Sequence, residues 1–98
     1  MELALYKPRD ANVYAVQVTR QNAGEVAKQF GGVVSKDTKP GDPTDEATWI
    51  SVPTLAGVAK LLVTHEGPVI GREVDTNQTV VWERLREFNE KYEKVGVR

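Results

Sequence analysis

Val13–Gly32, reading VYAVQVTRQNAGEVAKQFGG, decides the fold. Its first half alternates. Tyr14, Val16 and Val18 share one face, while Ala15, Gln17 and Thr19 share the other. Period two with β-branched residues predicts a half-buried strand. Asn22 then precedes Glu25 by three positions, a spacing like that of a capping box. Ala23, Val26, Ala27 and Phe30 recur at helical spacing, so one face of a short helix is apolar. Gly31 and Gly32 can adopt the positive φ that closes a helix. The unit predicted is a strand, a helix near residues 22–30 capped by Asn22, and a glycine stop.

Outward from this unit, Val33-Val34 opens a second strand. Asp37–Glu46, DTKPGDPTDE, is rich in proline, glycine and acids and predicts a loop. Ala47–Val52 resumes as a strand, which Pro53 confines to an edge or an end. Thr54–Gly57 reads as a turn, Val58–Thr64 as a strand, and His65–Pro68 as another turn. Val69–Val74 and Thr79–Trp82 are spaced to pair as a hairpin. Val81, Leu85, Phe88, Tyr92 and Val95 are spaced 4-3-4-3, which places them on one helical stripe. Glu87–Lys91 and Glu90–Lys94 add favourable i, i+4 pairs. A C-terminal helix near residues 83–94 follows. The fold class is α+β, with a small mixed or antiparallel sheet of four to six short strands and two helices.

The chain has 98 residues, which suits a single domain spanning 1–98. With 40% apolar and 28% charged residues, it has the composition of a soluble globular protein. It has no cysteine, which excludes disulfides, thiolate metal sites and thiol nucleophiles. The formal charge is −1 without a polybasic run, so phosphate backbones have no electrostatic hold and nucleic acid is not expected as a partner. No apolar run is long enough for a membrane span. The N-terminus is acidic and meets Pro8 early, unlike a signal peptide.

Chemistry is scarce. His65 is the sole histidine and sits in a turn beside Glu66, without a nucleophile or an orienting group in view. Asp37, Asp42, Asp45 and Glu46 lack the alternating ligand spacing of a calcium loop. No Gly-rich phosphate loop and no Gly-x-Ser-x-Gly elbow occurs. The expectation is therefore no catalytic residue, no metal and no cofactor. Trp49 and Trp82 are each out of phase with their neighbours, so one of them is expected to stand exposed and bind a partner. Arg72 is a candidate beside them. The stripe Leu85, Phe88 and Tyr92 is expected on the sheet, or, if uncovered, in a partner or homodimer contact.

One further pattern lies in the order of motifs. Tyr6-Lys7-Pro8 is followed by Ala15-Val16-Gln17 with Asn22, Glu25-Val26-Ala27 and Gly31-Gly32. Then come Ile50-Ser51-Val52-Pro53-Thr54-Leu55-Ala56-Gly57, Gly67-Pro68-Val69-Ile70-Gly71, and Phe88 with Tyr92-Glu93. This series resembles a family of small tailed-phage accessory proteins of mostly unknown function, closest to versions from phages of actinobacteria. Where many relatives carry Cys-Lys-Pro-Asp before the final Phe, this chain reads Glu83-Arg84-Leu85-Arg86-Glu87. The resemblance implies a viral protein working in the host cytoplasm and brings no catalytic residue with it. Three roles follow as expectations. The first is a non-enzymatic protein that binds and occludes a host macromolecule, most simply a host protein. The second is a protein that sequesters a small signalling nucleotide, with Arg72 or Arg84 near an aromatic wall. The third is a virion or assembly component.

Overall fold

The computed structural model describes residues 3–8 and 13–97. In chain order the elements are β1 (Ala4–Pro8), β2 (Val13–Gln17), α1 (Ala23–Gln29), β3 (Val33–Lys39), β4 (Asp42–Thr54), β5 (Gly57–Leu62), β6 (Val69–Glu73), β7 (Thr79–Trp82), α2 (Leu85–Lys91) and β8 (Tyr92–Val97). The fold is α+β, as the pattern of the sequence predicts. The strands are more numerous than expected: eight among the described residues, in two antiparallel sheets. The larger sheet runs β7-β6-β2-β1-β8 and the smaller β3-β4-β5.

β2 lies in the middle of the larger sheet, and both its faces are covered. Val16 pairs with Ile70, and Ile70 with Val81. That row faces a core built with Val18, Ala23, Val26, Phe30, Ile50 and Val52, to which α1 and both sheets contribute. The opposite face presents Val13, Ala15 and Val69 to Phe88 of α2. Both faces being apolar explains why Val13 and Ala15 are as buried as Val18, beyond the half-buried reading of the alternation.

α1 buries Ala23, Val26, Ala27 and Phe30, the face expected of it. Its C-terminus closes as a Schellman motif. Gly31 has φ +72°, and the Gly32 N–H donates to the Ala27 carbonyl at 2.7 Å. A Cβ on Gly32 would overlap the Ser51 carbonyl oxygen, so only glycine lets the chain pass over β4 here.

The N-terminus differs from expectation. Asn22 occupies the cap position, but its side chain makes no capping bond to the helix. Instead Asn22 Oδ1 accepts from the Thr19 N–H at 2.7 Å, and Nδ2 donates to the Gln17 carbonyl at 2.9 Å. The Asn22 N–H donates to Thr19 Oγ1 at 3.2 Å. The side chain thus ties the end of β2 to the start of α1 rather than filling an orphan helix donor. Asn22→Ala is expected to cost roughly 1–2 kcal/mol. Aspartate, an equally good cap, should not restore the loss, because its carboxylate would face the Gln17 carbonyl. Urea melts of the two variants decide this, since equal stability of Asn22→Asp and wild type would restore the capping role.

The expected Asp37–Glu46 loop is a β-hairpin. Lys39 pairs with Asp42 across Pro40-Gly41, with Gly41 at φ +79°. Proline followed by a positive-φ glycine is the signature of a type II turn. The register jumps from Thr38↔Glu46 to Lys39↔Asp42, so residues 43–45 leave the ladder. Pro43 therefore owes no ladder donor. The Asp42 carboxylate accepts from Thr44 N–H and Oγ1 within that bulge, at 3.1 and 2.7 Å.

The C-terminal helix is shorter than the predicted 83–94. It ends at Lys91, and Tyr92 turns extended at φ −131°, ψ 144° to begin β8. β8 leaves the helical stripe because it pairs with β1, from the far end of the chain. Val81 accordingly belongs to β7, Leu85 and Phe88 to α2, and Tyr92 and Val95 to β8.

Candidate functional site

The six expected contact residues fall into three places. Trp82, Leu85, Phe88 and Tyr92 converge on the α2 face of the larger sheet. The Trp82 ring meets Phe88 and Tyr92 edge-on, with centroids at 4.8 and 5.1 Å, and Phe88 stacks on Tyr92 at 4.7 Å. Phe88 is fully buried, so this cluster is core.

Arg72, on β6, lies over the Phe30 ring with its guanidinium carbon 4.9 Å from the centroid. Its Nη2 donates to the Gln29 carbonyl at 3.2 Å. A cation there satisfies the last turn of α1 and suits its dipole. Arg72 is a helix-terminating residue in this fold.

Trp49 stands apart, on the outer face of β4. It pairs with Ser35 on one side and Leu62 on the other. Two neighbouring strands close over it. Lys60 of β5 sends Nζ to 5.0 Å from the indole centroid, and the same Nζ donates to Asp37 Oδ2 of β3 at 2.9 Å. This bond from Lys60 holds the Asp37 carboxyl below its ordinary value, with help from the Thr38 N–H. The Trp49 Nε1–H is buried and has no acceptor. Both tryptophans are half-buried. The expectation that one stands substantially exposed is not met, because aromatic neighbours cover Trp82 and an ion pair covers Trp49.

Trp49 and Lys60 line a cleft of about 370 Å³. Leu62 continues its wall, and Glu66, Glu83 and Arg84 line it farther along the chain. The tight turn at Thr64–Gly67 borders the cleft. Thr64 N–H donates to the Gly67 carbonyl at 2.8 Å, and Glu66 N–H to Thr64 Oγ1 at 3.1 Å. The Leu85 N–H donates to the Glu66 carbonyl at 2.6 Å, which docks α2 against the turn. Arg84 Nε reaches Glu66 Oε2 only at 4.0 Å, the outer limit of an ion pair. The His65 side chain is 92% exposed, with Nε2 3.8 Å from Glu66 Oε1, which is the environment of a solvated turn residue. Among the described residues no three His, Asp or Glu side chains converge as metal ligands. No helix among them is long and apolar enough to cross a membrane.

The exposed apolar residues lie elsewhere. Leu55 is 82% exposed, Val58 75% and Val33 63%. Pro53 pairs with Val58, and Val33 pairs with Ser51, two positions from Pro53. Val33, Pro53 and Val58 therefore share the outer face of the smaller sheet, and Leu55 sits at the adjoining hairpin tip. Thr54 Oγ1 donates to the Gly57 carbonyl at 2.6 Å and holds that tip. These residues were not among the sequence candidates. The available signal was a leucine at a turn, where an apolar side chain has nothing local to pack on.

Compared with known proteins, the chain matches no family model, no curated protein and no solved structure.

Proposed function

We propose that the chain is a non-enzymatic phage accessory protein that binds a host protein in the infected cell and acts by stoichiometric occlusion. The observation that carries this reading is the apolar end of the smaller sheet, Val33, Pro53, Leu55 and Val58. A contiguous exposed apolar patch on a small domain marks an interaction surface. Its placement on the β4–β5 hairpin, which pairs with β3 along one edge, presents an ordered face and lowers the ordering cost of binding. The order of phage-like motifs supports the viral setting, and the absence of a recognisable catalytic motif in the sequence supports occlusion over turnover.

The test uses tagged protein as bait in lysate of a susceptible actinobacterium, read by mass spectrometry. Wild type should retain a partner at near-equal stoichiometry. Leu55→Asp with Val58→Asp should weaken capture by on the order of a hundredfold, since losing two central apolar anchors removes several kcal/mol of binding. Its melting temperature should stay within a few degrees of wild type, because both positions are solvent-facing. Retention of the same partner by the double variant would place the contact elsewhere.

A second reading, sequestration of a small anionic molecule, is favoured by one observation. Arg84 and Trp49 line the same cleft, the pairing that reading requires. Arg72 is committed to α1 and takes no part.

A further inference from the structure

The Trp49 cleft joins three features that the docking surface does not use. The first is the buried indole N–H without an acceptor. A native buried donor in that state calls for an explanation, because it is shut off from solvent with no protein acceptor in reach. The second is the cover over the ring. It is a single ion pair, with Lys60 and Asp37 side chains 47% and 53% exposed, reaching across β4 from both sides. Exposed pairs of this kind contribute little, so the cover opens at low cost. The third is the distribution of charge. Lys60 and Arg84 line the cleft with Glu66 and Glu83 beside the indole, and Leu62 adds apolar wall.

We propose that the cleft is a gated site for a small organic carboxylate with an apolar body. In the bound state Lys60 swings from Asp37 to the ligand carboxylate, and the uncovered Trp49 Nε1–H donates to the same group. The apolar body then lies along Leu62. A cleft of about 370 Å³ is at the small end of ligand sites, which fits a body the size of one ring. The charge of the lining selects a monoanion. Two cations, Lys60 and Arg84, share the lining with two acids, Glu66 and Glu83. Lys60 balances a single negative charge, whereas a phosphate dianion would leave one charge uncompensated in a lining that is otherwise neutral. The proposal thereby narrows the sequestering reading: it rests on the same cleft but favours a carboxylate over a nucleotide. It is independent of the Leu55–Val58 surface.

The test follows the Trp49 indole N–H by NMR in the ¹⁵N-labelled chain, the resonance being assigned by its absence from Trp49→Phe. Three probes share one body: phenylacetate, 2-phenylethanol and phenyl phosphate. Phenylacetate should move the resonance downfield and saturably, and 2-phenylethanol should leave it in place. Phenyl phosphate should bind more weakly than phenylacetate. Lys60→Gln should raise the phenylacetate Kd about tenfold through loss of a charge-assisted bond. Asp37→Asn should lower that Kd several-fold, because the competitor for Lys60 is gone. A merely structural ion pair gives no such gain. The idea is overturned if phenylacetate and the alcohol act alike, if phenyl phosphate binds more tightly, or if Asp37→Asn weakens binding in a chain whose amide spectrum is otherwise native. The Leu55→Asp protein, which keeps Val58 and so places no acid beside Lys60, should bind phenylacetate as wild type does, which separates failure here from failure of the docking surface.

Discussion

Phe88→Ala should destabilise the protein by roughly 3–5 kcal/mol, the range for deleting a fully buried aromatic ring. For a chain of this length that corresponds to a fall in melting temperature on the order of 15–30 °C. The size of the effect follows from how α2 is held. It has only seven residues, too few for independent helicity in water. Phe88 is the one side chain it buries completely. That ring meets Val13, Ala15 and Val69 on the larger sheet and carries the Trp82 and Tyr92 rings on its flanks. Alanine would leave a void that Tyr92 cannot fill, because β8 pins its backbone to β1. Calorimetry measures the loss. Hydrogen exchange should show α2 amides opening before those of β2 and β6. If Phe88→Ala melts within a few degrees of wild type, α2 is not docked through this ring.

The same cluster shows what the sequence makes legible. The 4-3-4-3 stripe located Leu85 and Phe88 on the buried side of a helix, because i, i+3 spacing is a local signal. It extended that helix through Tyr92 and Val95, because nothing local marks the switch to β8. The switch depends on β1, at the other end of the chain, and a partner so distant leaves no trace in a sliding window. The glycine stop of α1 was readable for the opposite reason: positive φ at Gly31 is a property of one residue. Asp37–Glu46 reads as a loop because its proline, glycine and acids are loop residues in composition. Their order, Pro40-Gly41 between Lys39 and Asp42, is that of a hairpin turn. Trp49 and Trp82 stand out by phase, but phase alone does not show what lies above a residue. Lys60 and Asp37 meet over Trp49 only because β3 and β5 flank β4. Leu55 and Val58 carry no local signal of a surface role, because they read as an ordinary turn residue and strand residue. Their exposure follows from the length of the β4–β5 hairpin, whose tip reaches beyond the packed core.

Gly67→Ala should be nearly as damaging, on the order of 3 kcal/mol, and it should reach the cleft as well as the fold. Two costs combine. Gly67 has φ +152°, a conformation that residues with a Cβ adopt only under strain of about 1–3 kcal/mol. The added Cβ would also lie 2.6 Å from the Glu83 carbonyl oxygen and 3.1 Å from Arg84 Cα. Both are backbone atoms, so no side-chain rotation relieves the contact. The segment Glu83-Arg84 must move away, and it is the segment that leads from β7 into α2. The Leu85 N–H would be drawn off the Glu66 carbonyl, and with it the Arg84 side of the cleft. The other side of the turn is tied to β2, where the Gln17 side chain donates to the His65 carbonyl at 3.2 Å and the Val18 N–H to the Pro68 carbonyl at 2.8 Å. A displaced turn therefore disturbs the larger sheet, α2 and the cleft together, whereas Leu55 and Val58 lie at the far tip of the β4–β5 hairpin. The expected pattern for Gly67→Ala is a lowered melting temperature, shifted amide resonances at residues 64–66 and 83–85, and near-native shifts at residues 53–58. Native stability with native shifts at residues 83–85 would mean that the turn and the α2 lead do not approach as closely as the fold requires.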